Sequence, residues 1–376
     1  MLGRGRDKEK ERKEEERRAQ VKAEERGVVK KKIYKLLVLG SQRTNYVQLF
    51  KGCTVGPEAV PLEVDHATWA NVSFCSYGDE GGLVATIRPS ASPLPETNQN
   101  RFRVFHPDFV LLRAGTRGDS RTNYEHLLST LMHSSLPCLN SPLSFWVSQN
   151  KALLYGRLLE VKKKRGGFNN FPLIPQACYS DWTAAGFPPP FPAVAKVGTA
   201  SGGLGKMKIN GNEEWSDFCS VASMQPQFFT SEGFVKWKYD IRLQKIGNHY
   251  RAFRRTSKSW KSNTDIAMKD EDIEFLPRYR EWIDAVSEHL GMEITAMDVL
   301  QTEDGKEYIL ELNSSAIGFC ARHQAEDDQM IKKLTLSEME RKFGCQREKE
   351  KKSGKEKLSE KEKEKERERE KEREME

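Results

Sequence analysis

No Cys-x-x-Cys pair and no zinc-type spacing of cysteine and histidine occurs in this chain of 376 residues. The seven cysteines (Cys53, Cys75, Cys138, Cys178, Cys219, Cys320, Cys345) are odd in number and scattered. That argues against a disulfide framework or a structural zinc site, and fits reduced thiols in a cytosolic protein. No apolar run approaches a membrane span, and the opening Met1-Leu-Gly-Arg-Gly-Arg is too charged for a signal peptide. Membrane association is therefore expected to be peripheral. Residues 4–30 lack proline, and the run from Gln346 onward lacks an apolar stripe. Both are nearly pure Lys, Arg and Glu, so neither reads as a packed core helix or a coiled coil. Each is expected to be a solvated helix or disordered. The net charge of +7 is of mixed sign at both ends, a weak case for nucleic acid, and no nucleic-acid partner is expected. Acidic membrane surfaces and anionic ligands suit it equally.

Between the tails the chain reads as ordinary globular protein, long enough for a substantial core. The division expected is a charged tail over 1–31, an α/β domain over 32–141, a second domain over 142–343 and a Lys/Glu-rich tail over 344–376. Lys35-Leu-Leu-Val-Leu-Gly40 is a continuous apolar run ending at glycine, the pattern of a buried parallel strand. Val60–Val64, Val104–Phe105 and Phe109–Arg113 predict further strands, Pro89–Asn100 a polar surface loop, and Tyr124–His133 a helix. The second domain opens with a helix predicted over Ser144–Val161, containing Lys151. Strands follow at Ala193–Val197 and Met207–Ile209. A hairpin turns at Gly247-Asn248, and Tyr279–Leu290 is an amphipathic helix.

The most informative segment is a second hairpin. Ile294–Leu300 and Glu307–Asn313 are strand-like, and Asp304-Gly305 between them is a strong two-residue turn signal. A register set by that turn puts Asp298 opposite Glu311, with Asn313 on the same face. Facing carboxylates repel. A hard cation between them would relieve this, since two carboxylates and an amide oxygen suit magnesium when phosphates complete the shell. Two exposed acids on a wet face, or another register, are the alternatives.

Gly198-Thr-Ala-Ser-Gly-Gly-Leu-Gly-Lys206 joins strand to strand, so it is neither a Walker loop nor a dinucleotide fingerprint, both of which open a helix. It is a plain hairpin or a flap able to fold over phosphates. Lys196 and Lys206 bracket it. Lys196 lies inside an apolar strand, where an ammonium needs an anion, phosphate or an internal carboxylate. Glu232-Gly-Phe-Val235 has the makings of a hinge whose main chain meets adenine. Asp240 and Arg242 share one strand face, as a phosphate-side pair or a salt bridge. Lys261 and Asn263 lie in a polar loop that can close over a ligand.

This constellation resembles the ATP-grasp nucleotide site, and the chain resembles the synapsin family over about residues 32–343. The matching runs include Phe105-His-Pro-Asp-Phe-Val-Leu-Leu-Arg113, Ser201-Gly-Gly-Leu-Gly-Lys206, Lys238-Tyr-Asp-Ile-Arg-Leu-Gln-Lys-Ile-Gly-Asn248, Trp260-Lys-Ser-Asn-Thr264 and His323-Gln-Ala-Glu-Asp327. The resemblance implies an α/β fold in which a smaller pre-ATP-grasp domain precedes an ATP-grasp domain. It implies ATP contacts at Lys151, Lys196, the flap residues Ser201, Gly202, Gly203, Gly205 and Lys206, and the hinge Glu232, Gly233, Phe234 and Val235. Lys238, Asp240, Arg242, Lys261 and Asn263 join them, with Mg²⁺ or Ca²⁺ at Asp298, Glu311 and Asn313. It further implies self-association as dimer or tetramer. The expected location is cytoplasmic, peripheral on synaptic vesicles of the presynaptic terminal, through acidic phospholipid and with the cytoskeleton as a further partner. The role implied is regulation of vesicle clustering and neurotransmitter release. The family's N-terminal phosphosite segment and its Pro-rich regions are replaced here by charged runs. The alternative is an active carboxylate–amine ligase working through an acyl phosphate, for which Arg255 and His323 are the candidate acceptor-side groups.

Overall fold

The computed structural model describes residues 32–344, apart from 42, 79–81, 90–101, 118–121, 200–202, 225–226, 258 and 262–268. Both charged tails, nearly all of the Pro89–Asn100 loop, and Ser201, Gly202 and Asn263 lie outside the described residues.

The run that begins the first domain is β1 (Tyr34–Gly40). Leu36 and Val38 enter one apolar cluster, while Leu37 and Leu39 enter another on the opposite face. A strand buried on both faces needs no polar alternation. A short α1 (Tyr46–Leu49), β2 (Thr54–Val55) and β3 (Val60–Ala67) follow. Then come β4 (Val72–Tyr77), β5 (Gly82–Ile87), β6 (Arg103–Phe105), β7 (Phe109–Arg113), α2 (Glu125–His133) and β8 (Cys138–Leu139). The first sheet runs β2-β3-β1-β7-β8, with β1 parallel to both β3 and β7. The strands β4, β5 and β6 form a separate three-stranded sheet.

The single helix predicted over Ser144–Val161 is two helices, α3 (Pro142–Gln149) and α4 (Lys151–Lys164). Asn150 breaks it. With φ −109° and ψ 110°, its side-chain oxygen accepts from the N–H groups of Ala152 and Leu153, capping α4. Apolar spacing runs through this break, so periodicity did not reveal it. The consequence is that Lys151 stands in the first turn of α4.

Next is a four-stranded antiparallel sheet made from β9 (Gln176–Tyr179), β10 (Ala193–Val197), β11 (Lys206–Ile209) and, after α5 (Asn212–Ala222), β12 (Phe229–Gly233). Its order is β11-β10-β12-β9. Ala195, Ile209 and Phe229 face Trp215 and Phe218 of α5. The alternate residues, Lys196, Lys206, Glu232 and Gln176, therefore share the other face.

The remaining elements are β13 (Trp237–Ile246), β14 (His249–Thr256), β15 (Lys269–Ile273), α6 (Pro277–Leu290), β16 (Ile294–Thr302), β17 (Glu307–Asn313) and a helix α7 over 324–344. The sheet β15-β14-β13-β16-β17 packs Ile241, Leu243, Met297, Val299, Ile309 and Leu312 against α4 and α6. Its other face carries the polar residues.

The β16–β17 hairpin departs from expectation and yet reaches the expected pairing. Thr302 N–H donates to Lys306 O at 2.9 Å, so the loop holds three residues, with Gly305 at φ 80°. Val299 therefore pairs with Ile309, one place off the simple register. A bulge at Leu310 then restores it, and Asp298 pairs with Glu311. Without an extra residue, Glu311 would share the apolar face of Ile309. With it, Leu310 and Glu311 both turn to the polar face while Ile309 and Leu312 stay in the core. Among the described residues no helix is long and apolar enough to cross a membrane.

Candidate functional site

The polar faces of the sheets β11-β10-β12-β9 and β15-β14-β13-β16-β17 meet across a cavity of about 70 Å³. Its walls include Lys196, Gly203, Lys206, Glu232, Gly233, Phe234, Val235, Asp240, Lys261, Asp298 and Glu311, all expected from the sequence. One end is apolar, formed by Ile174, Val194, Trp237, Leu300 and Leu310, with Phe234 and Trp260 edge-to-face at 6.3 Å. The other end is basic. A flat apolar slot leading to cations suits a nucleotide.

Lys196 has found the internal carboxylate that its buried strand required. Its Nζ lies 2.6 Å from Glu232 Oε1, and both side chains are 5% exposed. Burial pulls the ammonium's pKa down, but Glu232 and Glu311 outweigh it and the pKa rises. Lys151 reaches Glu311 Oε2 at 2.8 Å from the first turn of α4. Burial would raise the Glu311 pKa, but Lys151, Lys206 and Lys196 hold it well below the ordinary carboxylate value. Lys206 sits in the reverse balance. Glu311 raises its pKa, but burial and the charges of Lys196 and Lys151 prevail, so it falls below the usual lysine value.

Asp298 is gripped by a two-pronged bond from Arg242, with Nε to Oδ1 at 2.8 Å and the other guanidinium nitrogen to Oδ2 at 2.9 Å. Arg255 bridges Asp298 Oδ1 at 3.2 Å and Asp240 Oδ1 at 2.6 Å, and Asn313 Nδ2 donates to Asp298 Oδ2 at 3.1 Å. Against burial, the two arginines keep Asp298 ionised. The two acids are thus juxtaposed as expected, but basic side chains rather than a required ion neutralise them. Among the described residues no cluster of three or more His, Cys, Asp or Glu side chains is arranged to hold a metal. One oxygen of Glu311 and the amide oxygen of Asn313 remain uncommitted to any hydrogen bond among the described residues.

Gly205 takes a φ of 64°, and its carbonyl accepts from Val197 N–H at 2.9 Å, closing the base of the glycine loop. Thr199 on that loop lies 3.5 Å from Arg117, which follows β7 of the first domain. Lys238 is a correction: its ammonium is 3.3 Å from Glu303 on the exposed rim of the hairpin, and it does not line the cavity. The irregularity between Trp237 and Tyr239 turns it outward. His323 pairs with Asp272 at 2.8 Å, also away from the cavity, whereas Arg255 lines it. Ile174, Val194, Trp237, Trp260, Leu300 and Leu310 were not singled out by sequence. Apolar wall residues look like any other core, and only Ile174 and Trp260 stood in runs that carry the family resemblance.

Two family models cover nearly all of the described chain. Residues 29–138 match the synapsin pre-ATP-grasp domain and residues 140–341 match "Synapsin, ATP binding domain". A synapsin of Drosophila melanogaster is 29% identical over 318 residues, which is 83% of this chain but 30% of that protein. The chain thus spans less than a third of that relative's length. Among solved structures, a RimK-domain ATP-grasp protein of Sphaerobacter thermophilus aligns with a TM-score of 0.53 at 14% identity, covering 80% of this chain and 99% of that one. D-alanyl-alanine synthetase A of Vibrio cholerae aligns with a TM-score of 0.52 at 12% identity, covering 82% and 99%. These likenesses establish the ATP-grasp fold, as the sequence led us to expect.

Proposed function

Because this chain belongs to the synapsin family, we propose that it binds ATP between the sheets β11-β10-β12-β9 and β15-β14-β13-β16-β17 and acts as a nucleotide-responsive regulatory protein of vesicle surfaces. The observation that carries this reading is the arrangement of Lys151, Lys196 and Lys206 around Glu311 at one end of a slot whose other end is apolar. Phosphate oxygens offer these ammonium groups the same partner that Glu311 and Glu232 now supply. The adenine would lie between Val194 and Leu300, against the hinge Glu232–Val235. Asp240 and Lys261 border the phosphate path, Arg242 acts on it only through Asp298, and the loop carrying Gly203 and Gly205 would cover it.

A divalent ion arriving with the phosphates has Glu311 and Asn313 as oxygen ligands. Asp298 joins them only by releasing the fork of Arg242. The ion would supply charge neutralisation between phosphate and carboxylate; Mg²⁺ and Ca²⁺ are both suited by this oxygen set. Nucleotide occupancy would bias self-association and attachment to acidic phospholipid at synaptic vesicles. The role inferred from family membership is that of a cytoplasmic, peripheral protein that regulates vesicle clustering and transmitter release.

Calorimetric titration with ATP and either divalent ion tests the reading. Binding is expected in the wild type and absent in Lys196→Ala and Glu311→Ala, with both variants checked for folding by circular dichroism; binding that survives both overturns it. The ligase alternative predicts ADP release with small carboxylates and amines, whereas the regulatory reading expects none above background. Arg255, locked to Asp240 and Asp298, and His323, outside the cavity, give that alternative no specific support. Co-sedimentation with acidic liposomes, with and without residues 1–30 and 346–376, assigns any membrane affinity to body or tails.

A further inference from the structure

Between β9 and β10 the chain runs Trp182-Thr-Ala-Ala-Gly-Phe-Pro-Pro-Pro-Phe-Pro192. Asp181 opens this connection by accepting from Thr183 N–H at 2.8 Å, which caps a short 3-10 helix over Trp182–Gly186. Three hydrogen bonds then pin the segment to the body. Trp215 Nε1 donates to Ala185 O, Tyr179 Oη donates to Phe187 O, and Phe234 N–H donates to Pro192 O, each at 2.9 Å. Phe191 packs against the cluster of Trp215, Phe218 and Phe229. Between these anchors stands Phe187-Pro188-Pro189-Pro190. Proline fixes its own φ and confines the residue before it to extended backbone, so Pro188 and Pro189 are restricted on both counts. The stretch has little conformational freedom left to lose on binding a partner.

What it presents is apolar. Phe187 is 82% exposed and Trp182 52%, and Pro188 and Pro190 are exposed as well. A connector between two strands needs the prolines, but it does not need a phenylalanine ring left in water beside them. In an extended chain of three residues per turn, residues three apart share an edge. Phe187 and Pro190 are such a pair and face solvent, whereas Phe191 turns inward. Among the described residues, the carbonyls of Pro188, Pro189 and Pro190 accept no hydrogen bond. Asp181 is the only charged residue from 177 to 195. Recognition of this edge therefore rests on ring contacts and carbonyl acceptors, not on charge.

We propose that residues 187–190 are a docking ledge for a proline-reading domain of the EVH1 type, whose aromatic-lined groove takes the Phe187 ring and donates to the proline carbonyls. Grooves that pair their own acids with a basic residue beside the prolines, as SH3 domains do, find no such residue here. The ledge lines no wall of the nucleotide cavity, so the proposal stands apart from the ATP reading.

The test titrates the full chain with a purified EVH1 domain, and in parallel with purified SH3 and WW domains. The EVH1 domain is expected to bind one to one with micromolar affinity, changing less than about twofold between roughly 50 and 300 mM salt. Phe187→Ala is expected to weaken it at least about tenfold, with an unchanged circular dichroism spectrum. Phe187→Trp keeps an aromatic anchor and is expected to retain binding. Pro188→Ala combined with Pro190→Ala, which loosens the extended backbone and removes two ring contacts, is expected to weaken it as well. Absence of EVH1 binding overturns the proposal. So does binding that Phe187→Ala leaves intact, or that the higher salt abolishes, since either would place the contact on charged surface elsewhere in the chain. Tighter binding of the SH3 or WW domain overturns the assignment to an EVH1-type groove.

Discussion

Lys206 is half-buried and has no carboxylate within 4 Å among the described residues, although Glu311 attracts it from further away. Lys196 and Lys151, by contrast, hold Glu232 and Glu311 directly. The three ammonium groups therefore differ in readiness. Removing either partner of the buried Lys196–Glu232 pair strands a charge, whereas Lys206 gains most from an incoming anion. Its pKa is lowered in the free protein, and phosphate would raise it. ATP binding is accordingly expected to take up a proton at alkaline pH, in the window between the lowered and the restored value. Below that window Lys206 is charged in both states and no uptake occurs. Affinity falls with pH across the window, and above it the amine is neutral in both states and uptake ceases. Titration in two buffers of different ionisation enthalpy measures the uptake. Lys206→Arg, which does not titrate in this range, should bind ATP without it. Uptake that persists in the arginine variant would place the proton elsewhere.

The β16–β17 hairpin shows how an element can arrive at the right register by two compensating irregularities. The three-residue loop shifts the pairing by one, and Leu310 shifts it back. These irregularities have different purposes, and deletions separate them. Removing Glu303 leaves Asp304-Gly305 between Thr302 and Lys306, the two-residue turn that Asp-Gly favours. That variant should keep its ladder, bind ATP within about twofold of wild type, and change stability by less than about 1 kcal/mol. Removing Leu310 leaves Ile309 paired with Val299 and Glu311 with Asp298, but it takes away an apolar wall of the nucleotide slot and the local bend. ATP affinity should drop about tenfold or more, roughly 1.4 kcal/mol or more. Calorimetry and urea denaturation read both; a Leu310 deletion with undiminished affinity would show that the bulge has no part in the site.

At the scale of the molecule, the described residues from Tyr34 onward form one compact unit, although two family models divide them. A shared core is one reason: Leu36, Val38 and Phe109 of the first sheet pack with Ile246, Ile294, Ile331 and Phe343. Asn140 is another. It is 1% exposed, its Nδ2 donates to Ile294 O at 2.8 Å, and its Oδ1 accepts from the N–H groups of Glu293 and Ile294, each at 2.9 Å. One side chain thus fixes the junction of the two domains to the first residue of β16, four residues from Asp298. Asn140→Ala orphans buried backbone groups and should cost about 2–3 kcal/mol. A single unfolding transition is expected in wild type and variant alike, followed by fluorescence and circular dichroism together. Two separated transitions in the wild type would refute the shared core.

Local signals were sufficient for much of this architecture. Lys35–Gly40 was legible as a doubly buried parallel strand because apolar residues occupy both of its faces. The strand–glycine–strand order of 193–209 excluded a helix-opening phosphate loop, and Asp298 faces Glu311 as expected, although through a three-residue loop and a bulge in place of the two-residue turn. Those are short-range properties of a chain. What neutralises the two acids was not legible, because Arg242, Arg255, Lys151 and Lys206 reach them from β13, β14, α4 and β11, and only the packing of two sheets brings those elements together. The break at Asn150 is a local cap that continuous apolar spacing concealed; the outward turn of Lys238 and the choice of Glu232 as the partner of Lys196 belong with the neutralised acids. Each depends on which group a side chain meets across space, and electrostatic pairing in a buried site is decided there, since charge interactions in low dielectric strengthen with proximity while sequence records only order.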